Sequence, residues 1–159
     1  MSEILILMHN PVNVKIGKKV VELFLKEYSF DSTIIAPPDF VIPGVDPHQM
    51  PEKIMELIPT NNEIRIIFFE ANLGYPGQEN LREPTVEVLK FLIKNCPEAT
   101  FILKSQTEAA IKNAQIILQE EQIASEQIFP DGWMLKINDD IKQAMRNALE
   151  EQNLKIKFH

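Results

Sequence analysis

The residues of this sequence that could do chemistry lie directly after short apolar runs. The stretch "IRIIFFEANLGYPG" takes one run into Glu70 and Asn72, "ILILMHN" takes another into His9 and Asn10, and "FILKS" ends a third. An acid that closes a buried strand needs a polar partner, and a carboxyl group beside an imidazole or an amine can bind a ligand or move a proton. The candidate site residues are His9, Asn10, Glu70, Asn72, Lys104 and Ser105.

The apolar runs are short enough to be strands, and amphipathic segments separate them. Five strands are predicted, at "ILILM", "STIIAP", "EIRIIFFE", "ATFILK" and "EQIFP". Between them apolar residues recur with the period of a helix, as Val88, Leu89, Leu92 and Ile93 do after Pro84. Nearly continuous apolar strands that alternate with helices predict a parallel sheet covered on both faces.

This order of elements predicts an α/β fold with a three-layer, doubly wound parallel sheet of five strands. Right-handed crossovers suit the flavodoxin-like strand order 2-1-3-4-5. In that order the carboxyl ends of the first and third strands are neighbours, roughly 5 Å apart. Ligand sites of open α/β sheets form at this edge, so the fold would gather the candidate residues there.

The first helix carries a specific expectation about its buried face. Val12, Ile16, Val20, Phe24 and Tyr28 recur every four residues, and Val21 and Leu25 widen this stripe, which is predicted to face the core. The spacing indicates an amphipathic helix along this whole stretch.

Two further segments are predicted to be helical. A short helix is expected over about Pro51–Ile58, and a final helix over "NDDIKQAMRNALEE". In the final helix Met145 and Ala148 would form a flat apolar strip on which two copies could pair. The "KIKF" that follows is expected to be a frayed tail or a small extra strand.

Composition restricts the class of protein. The 159 residues are 45% hydrophobic and 25% charged, which is typical of a globular protein, and we expect one domain over residues 1–159. A formal net charge of -7 disfavours a nucleic-acid surface. No apolar run in the sequence approaches the roughly 20 residues of a membrane span. The sequence predicts a cytoplasmic protein that binds neither nucleic acid nor membrane.

Sequence motifs for cofactors and metals are missing. The single cysteine, Cys96, excludes a disulfide framework and Cys-rich metal sites. The "VKIGKK" stretch lacks the glycine-rich approach of a phosphate loop, and the first strand does not lead into GxGxxG. His9, His48 and His159 lie in three separate segments, without the spacing of a zinc site. We therefore expect no cofactor and no metal.

The order of elements, and locally "FFEANLGYPGQENLREPTVEVLKFLIKN", resembles the receiver domain of two-component response regulators. That family places a phosphate-accepting Asp at the end of its third strand, before a Pro/Gly loop and an amphipathic helix. Glu70 and the "LGYPG" loop look like that arrangement. Ser105 falls where the family has a Ser or Thr, and Pro130 falls where a Lys-Pro pair closes the fifth strand. The resemblance implies a receiver-like fold and a role in signalling.

Three features differ from the family's pattern. His9 and Asn10 replace the paired acids that hold magnesium, Glu70 replaces the acceptor Asp, and Phe129 replaces the phosphate-contacting Lys. Magnesium favours carboxylates and waters in an octahedral shell, which this set supplies poorly. The resemblance therefore implies a pseudo-receiver with no catalytic residue. Such a non-enzymatic module would dock to a protein partner, or to itself as a homodimer, with a non-phosphorylatable Glu at the acceptor position.

The alternative is a small-molecule-binding protein or an enzyme that uses the same edge of the sheet. Glu70 would then act as base or acid, with His9, Lys104 and Ser105 around the ligand. The fold class does not decide between the two readings, because sheets of this order host many chemistries.

Overall fold

The computed structural model describes residues 2–7, 11–36, 55–56, 58, 63–70, 83–104, 108–123, 125–128 and 139–157. Strands and helices follow each other along these stretches as the sequence predicts. Their bounds are β1 Ser2–Leu7, α1 Pro11–Glu27, β2 Ser32–Ile35, β3 Ile64–Glu70, α2 Glu83–Asn95, β4 Thr100–Lys104, α3 Glu108–Glu120, β5 Ser125–Ile128 and α4 Asp139–Lys157.

The five strands form one parallel sheet in the order β2-β1-β3-β4-β5. This confirms the predicted parallel α/β sheet and its strand order, which is compatible with a flavodoxin-like fold. The most apolar strand, β3, lies at the centre, where both of its faces are covered. The edges are β2 and β5, each only four residues long. The central position of β3 follows from its composition, because only a strand buried on both faces needs a continuous apolar run.

Each face of the sheet has its own apolar core, so the fold has three layers. On one face α2 and α3 pack on side chains such as Leu7, Phe69 and Phe101. On the other face α1 and α4 pack on side chains such as Ile6 and Phe68. Neighbouring strand residues thus enter opposite cores, which is the period-two alternation of a strand. Each completely buried Phe contributes roughly 2–3 kcal/mol to folding.

The buried face of α1 matches the predicted stripe in part. Val21, Phe24 and Leu25 face the core as predicted, and Val14 joins them, whereas Ile16 is 44% exposed. The reason is geometric, since each step of four residues turns a helix about 40° past a full turn. Five residues at that spacing therefore spread over almost half of the circumference, and they cannot all contact the sheet.

Two expectations about the final helix are wrong. Met145 and Ala148 are buried against the sheet, so they do not form an exposed strip for a dimer. Instead α4 uses its apolar face to cover β3 and β4. The predicted tail or strand at "KIKF" is helical through Lys157. Residues 150–157 contain neither Gly nor Pro, and several of them are good helix formers. The helix α4 can therefore continue through this segment.

Part of the chain predicted as loop or short helix lies outside the described residues. Of the expected helix Pro51–Ile58, the structure describes Met55 and Glu56, which are helical, and Ile58, which is buried. Among the described helices, none has the length and apolar character required to cross a bilayer.

Two helices end in the same local motif. Ser29 after α1 and Gln122 after α3 have φ values of 55° and 57°, in the left-handed region. After α1 the Phe30 amide donates a hydrogen bond of 2.9 Å to the Leu25 carbonyl, the long bond of a Schellman cap. The Phe30 ring then stacks on Phe24, with ring centroids 6.2 Å apart. The motif turns the chain sharply from each helix towards the next strand.

Candidate functional site

Glu70 is the last residue of the central strand, and it is completely buried. Within the described residues it is the only buried polar or charged side chain. Burying a carboxyl group is costly unless other groups hydrogen-bond to it or pair with it. Glu70 makes at least one polar or electrostatic interaction of this kind. The strand brings it to this place because the apolar residues before it, Ile66–Phe69, anchor β3 between β1 and β4.

The register of the strands brings three carboxyl ends together around Glu70. On one side Glu70 pairs with Lys104, the last residue of β4. On the other side Phe69 pairs with Leu7, the last residue of β1. Because β1 and β3 connect to helices on opposite faces, this is the point where the sheet reverses its winding. Open α/β sheets form their ligand sites at such a point.

Strand alternation places Glu70 on one particular face of the sheet. Phe68 enters the core under α1 and α4, while Phe69 enters the core under α2 and α3. Side chains two residues apart share a face, so Glu70 extends on the same face as Phe68. The acid therefore belongs to the layer that α1 and α4 cover.

The structure tests only part of the predicted site. Glu70 is at the expected edge, and the backbone of Lys104 lies in register beside it. The side chain of Lys104 and the residues His9, Asn10, Asn72 and Ser105 lie outside the described residues, so their convergence stays a prediction. The sequence-predicted pairing of Glu70 with His9 or Lys104 also stays a prediction.

The residues that the receiver resemblance would assign to magnesium do not suit that ion. Glu70 supplies one carboxyl group, and the sequence has an imidazole and an amide at positions 9 and 10, where the resemblance implies acids. Magnesium is usually held by carboxylates together with waters. Among the described residues, no group of three or more His, Cys, Asp or Glu side chains could hold a metal ion.

Sequence reasoning missed an ion pair at the opposite, amino edge of the sheet. The Nη2 atom of Arg65 lies 3.0 Å from Oε2 of Glu98, and only 11% of the Arg65 side chain is exposed. The register between β1 and β3 shifts beside Arg65, between Glu3 and Ile4. A charged residue inside the apolar run "IRII" is the signal that could have predicted a polar partner at this end of the strand.

Sequence reasoning also missed a groove of about 680 Å³ between α2 and α3. Its apolar residues are Val86, Ile93 and Ile117. Its charged residues are Lys90 and Lys94 on α2, with Glu120 and Glu121 at the end of α3. We call this set of seven residues the charged groove. The signal was the seven-residue spacing of Val86 and Ile93 with lysines beside them, which by itself is typical of an ordinary solvated helix face.

When the sequence is compared with models of known families and with curated proteins, no family model and no curated protein matches it. The resemblance to receiver domains rests on the order of the elements and on the residues around Glu70. It stays a prediction.

Proposed function

We propose that this protein is a non-enzymatic, receiver-like signalling module in which Glu70 stands in place of a phosphate-accepting aspartate. The observation that carries the proposal is the complete burial of Glu70 at the carboxyl end of the central strand. A parallel sheet in the order 2-1-3-4-5 puts that end beside the ends of β1 and β4. A receiver-like domain would respond to an acidic group at this point.

The module would carry its acid permanently. In a receiver, phosphorylation extends the acidic group beyond the Asp carboxyl and adds negative charge, and Glu already extends its carboxyl group one methylene further than Asp. Glu70 is in register with Lys104, and Ser105 follows directly in the sequence. The permanent acid would then hold the segment after β4 in one state, which a protein partner or a second copy could recognise.

Phosphoryl transfer at Glu70 is disfavoured for two separate reasons. The chemistry needs charge stabilisation from a metal ion and from cationic side chains. The sequence has His9 and Asn10 where the family has metal-binding acids, and Phe129 where it has a lysine. In addition, a completely buried Glu70 offers no surface to a phosphodonor.

The test is incubation of the protein with magnesium and acetyl phosphate, followed by intact-protein mass spectrometry. We expect no addition of a phosphoryl group to the wild type or to Glu70→Asp, because the positions of His9 and Phe129 stay unchanged. A phosphorylatable receiver domain treated in parallel serves as the positive control. A phosphorylated wild type would overturn the proposal, and a phosphorylated Glu70→Asp variant would refute the roles given to His9 and Phe129.

A small-molecule-binding protein or enzyme is the second candidate, and one observation favours it. Glu70 lies at the winding reversal between β1 and β3, where α/β proteins bind ligands. Thermal-shift screening of phosphorylated, carboxylated and amine-bearing metabolites against the wild type and Glu70→Gln separates the two functions. Stabilisation of the wild type that Glu70→Gln loses would support this second function over a signalling module.

A further inference from the structure

The charged groove has opposite charges on its two sides and an apolar floor between them. Lys90 and Lys94 lie on α2, and Glu120 and Glu121 lie at the end of α3. All four are exposed. Within the described part of the chain, none of the four is in an ion pair. A surface with two unpaired charged sides of opposite sign is suited to a partner with the same two sides in reverse.

The end of α3 is the least compensated part of the groove. The carbonyl end of a helix carries partial negative charge, which acids at that end reinforce. Glu120 closes α3 and Glu121 follows it, while the last turn of this described helix contains no basic residue. By contrast, the last turn of α2 contains Lys94, which its own helix end attracts. Positively charged side chains of a partner would reduce the negative potential at the end of α3.

Exposed apolar surface adjoins these acids. Ile116 is 52% exposed, one of three exposed large apolar side chains in the described residues. It lies four positions before Glu120, so the two side chains are neighbours on α3. Ile116, together with Val86, Ile93 and Ile117, would contribute buried apolar area to an interface that also pairs charges.

The direction of the helices decides which arrangement of two copies joins opposite charges. α2 and α3 both return from the carboxyl edge to the amino edge of a parallel sheet, so they run in the same direction. A two-fold axis along the groove would lay α2 of one copy over α3 of the other, and lysines would meet glutamates. A two-fold axis across the groove would stack α2 on α2, and lysines would meet lysines, which is repulsive.

We propose that the charged groove is the face through which two copies of this chain associate, with α2 of each copy lying along α3 of the other. This inference goes beyond the proposed function, because it does not depend on Glu70. It also replaces the final helix as the dimer face, since Met145 and Ala148 are buried.

Sedimentation equilibrium of the wild type and two charge-reversed variants tests the dimer. The wild type should be dimeric at high micromolar concentration. Lys90→Glu/Lys94→Glu should weaken self-association by roughly tenfold or more, and Glu120→Lys/Glu121→Lys should do the same, because each makes both symmetric contacts repulsive. Mixing the two variants should restore a heterodimer. Lys18→Glu/Lys19→Glu, on exposed positions of α1, gives the same change in net charge as the lysine pair and should leave the dimer intact.

Circular dichroism of every variant separates loss of association from loss of folding, and these surface substitutions should leave the spectrum unchanged. A monomeric wild type would overturn the proposal. So would a dimer that neither charge reversal weakens, or two folded variants that fail to pair when mixed. Glu70→Gln should dimerise like the wild type, so a failed phosphorylation test and a failed dimer test are independent results.

Discussion

Arg65 and Glu70 are two charged residues on the same central strand, but their surroundings differ. Arg65, near the amino edge, keeps part of its side chain in solvent and pairs with Glu98, whose side chain is 50% exposed. Its Nη1 atom also donates to the Ile64 carbonyl oxygen at 3.4 Å. Glu70, at the carboxyl edge, has no exposed surface.

This difference separates an architectural charge from a candidate functional one. A long arginine can cover apolar surface with its stem and place its guanidinium at the rim. That behaviour explains how Arg65 is tolerated in an apolar strand. The shorter Glu70 does not reach solvent, so its burial must be compensated inside the protein. A charged residue inside a strand therefore indicates a functional site only where its side chain cannot reach solvent.

The largest expected effect is at the carboxyl edge. Glu70→Ala should lower the free energy of unfolding by roughly 2–4 kcal/mol, because it leaves a cavity and removes a buried interaction. Urea denaturation at neutral pH measures the change. Glu98→Ala, which truncates an acid with half its side chain exposed, is the matched control and should cost less than about 1 kcal/mol. A loss at Glu70 no larger than the control would mean that the buried acid is not compensated by specific partners.

A smaller effect is expected at the amino edge. Arg65→Ala should cost about 1–2 kcal/mol, since it removes packing of the arginine stem and a half-exposed ion pair but leaves no buried charge behind. The same denaturation experiment applies, with Glu98→Gln isolating the ion pair. If Arg65→Ala costs as much as Glu70→Ala, the distinction between the two charges is wrong.

The smallest effect concerns Cys96, a buried thiol on the same edge as Arg65. Burial, followed by the negative charge of Glu3, raises the pKa of Cys96 from 9.0 to about 11. Between these pH values the unfolded chain loses the thiol proton while the folded chain keeps it, so stability falls as pH rises. The fall should be on the order of 1 kcal/mol by about pH 10.

The measurement for Cys96 compares the wild type with Cys96→Ala at about pH 8 and pH 10. Cys96→Ala should lack this part of the decline, while other titrating groups affect both proteins alike. Equal pH dependence in the two proteins would show that the thiol ionises as easily in the folded state as in the unfolded state.

The sequence predicted the sheet well because its strands carry a strong signal. The continuous apolar run "IRIIFF" is typical of a strand at the centre of a sheet, where both faces are buried. Because Glu70 follows directly after this run, it is predicted to lie at the carboxyl edge of the sheet. Helix faces were harder to predict. Ile16 of α1 and Met145 of α4 are both apolar residues at helical spacing, but Ile16 is exposed and Met145 is buried. The packing of each helix on the sheet decides this difference.

The rest of the candidate site depends on loops and on pairs of distant elements. His9, Asn72 and Ser105 follow strands, but strand order alone does not orient a loop side chain. The charged groove requires α2 and α3 to be adjacent, and its lysines are 26 or more positions away from its glutamates. A pattern within one helix carries no information about the helix beside it.

The short edge strands of the sheet have a consequence for aggregation. An exposed strand edge presents unpaired amide and carbonyl groups that can template pairing with another chain. Here the edges are β2 and β5, four residues each, and the sequences "STII" and "SEQI" begin with polar residues. The long apolar strands that would make the most dangerous templates, β1 and β3, have neighbours on both sides. The described sheet therefore offers little backbone for uncontrolled extension, and the helical surfaces are the safer route to an ordered assembly.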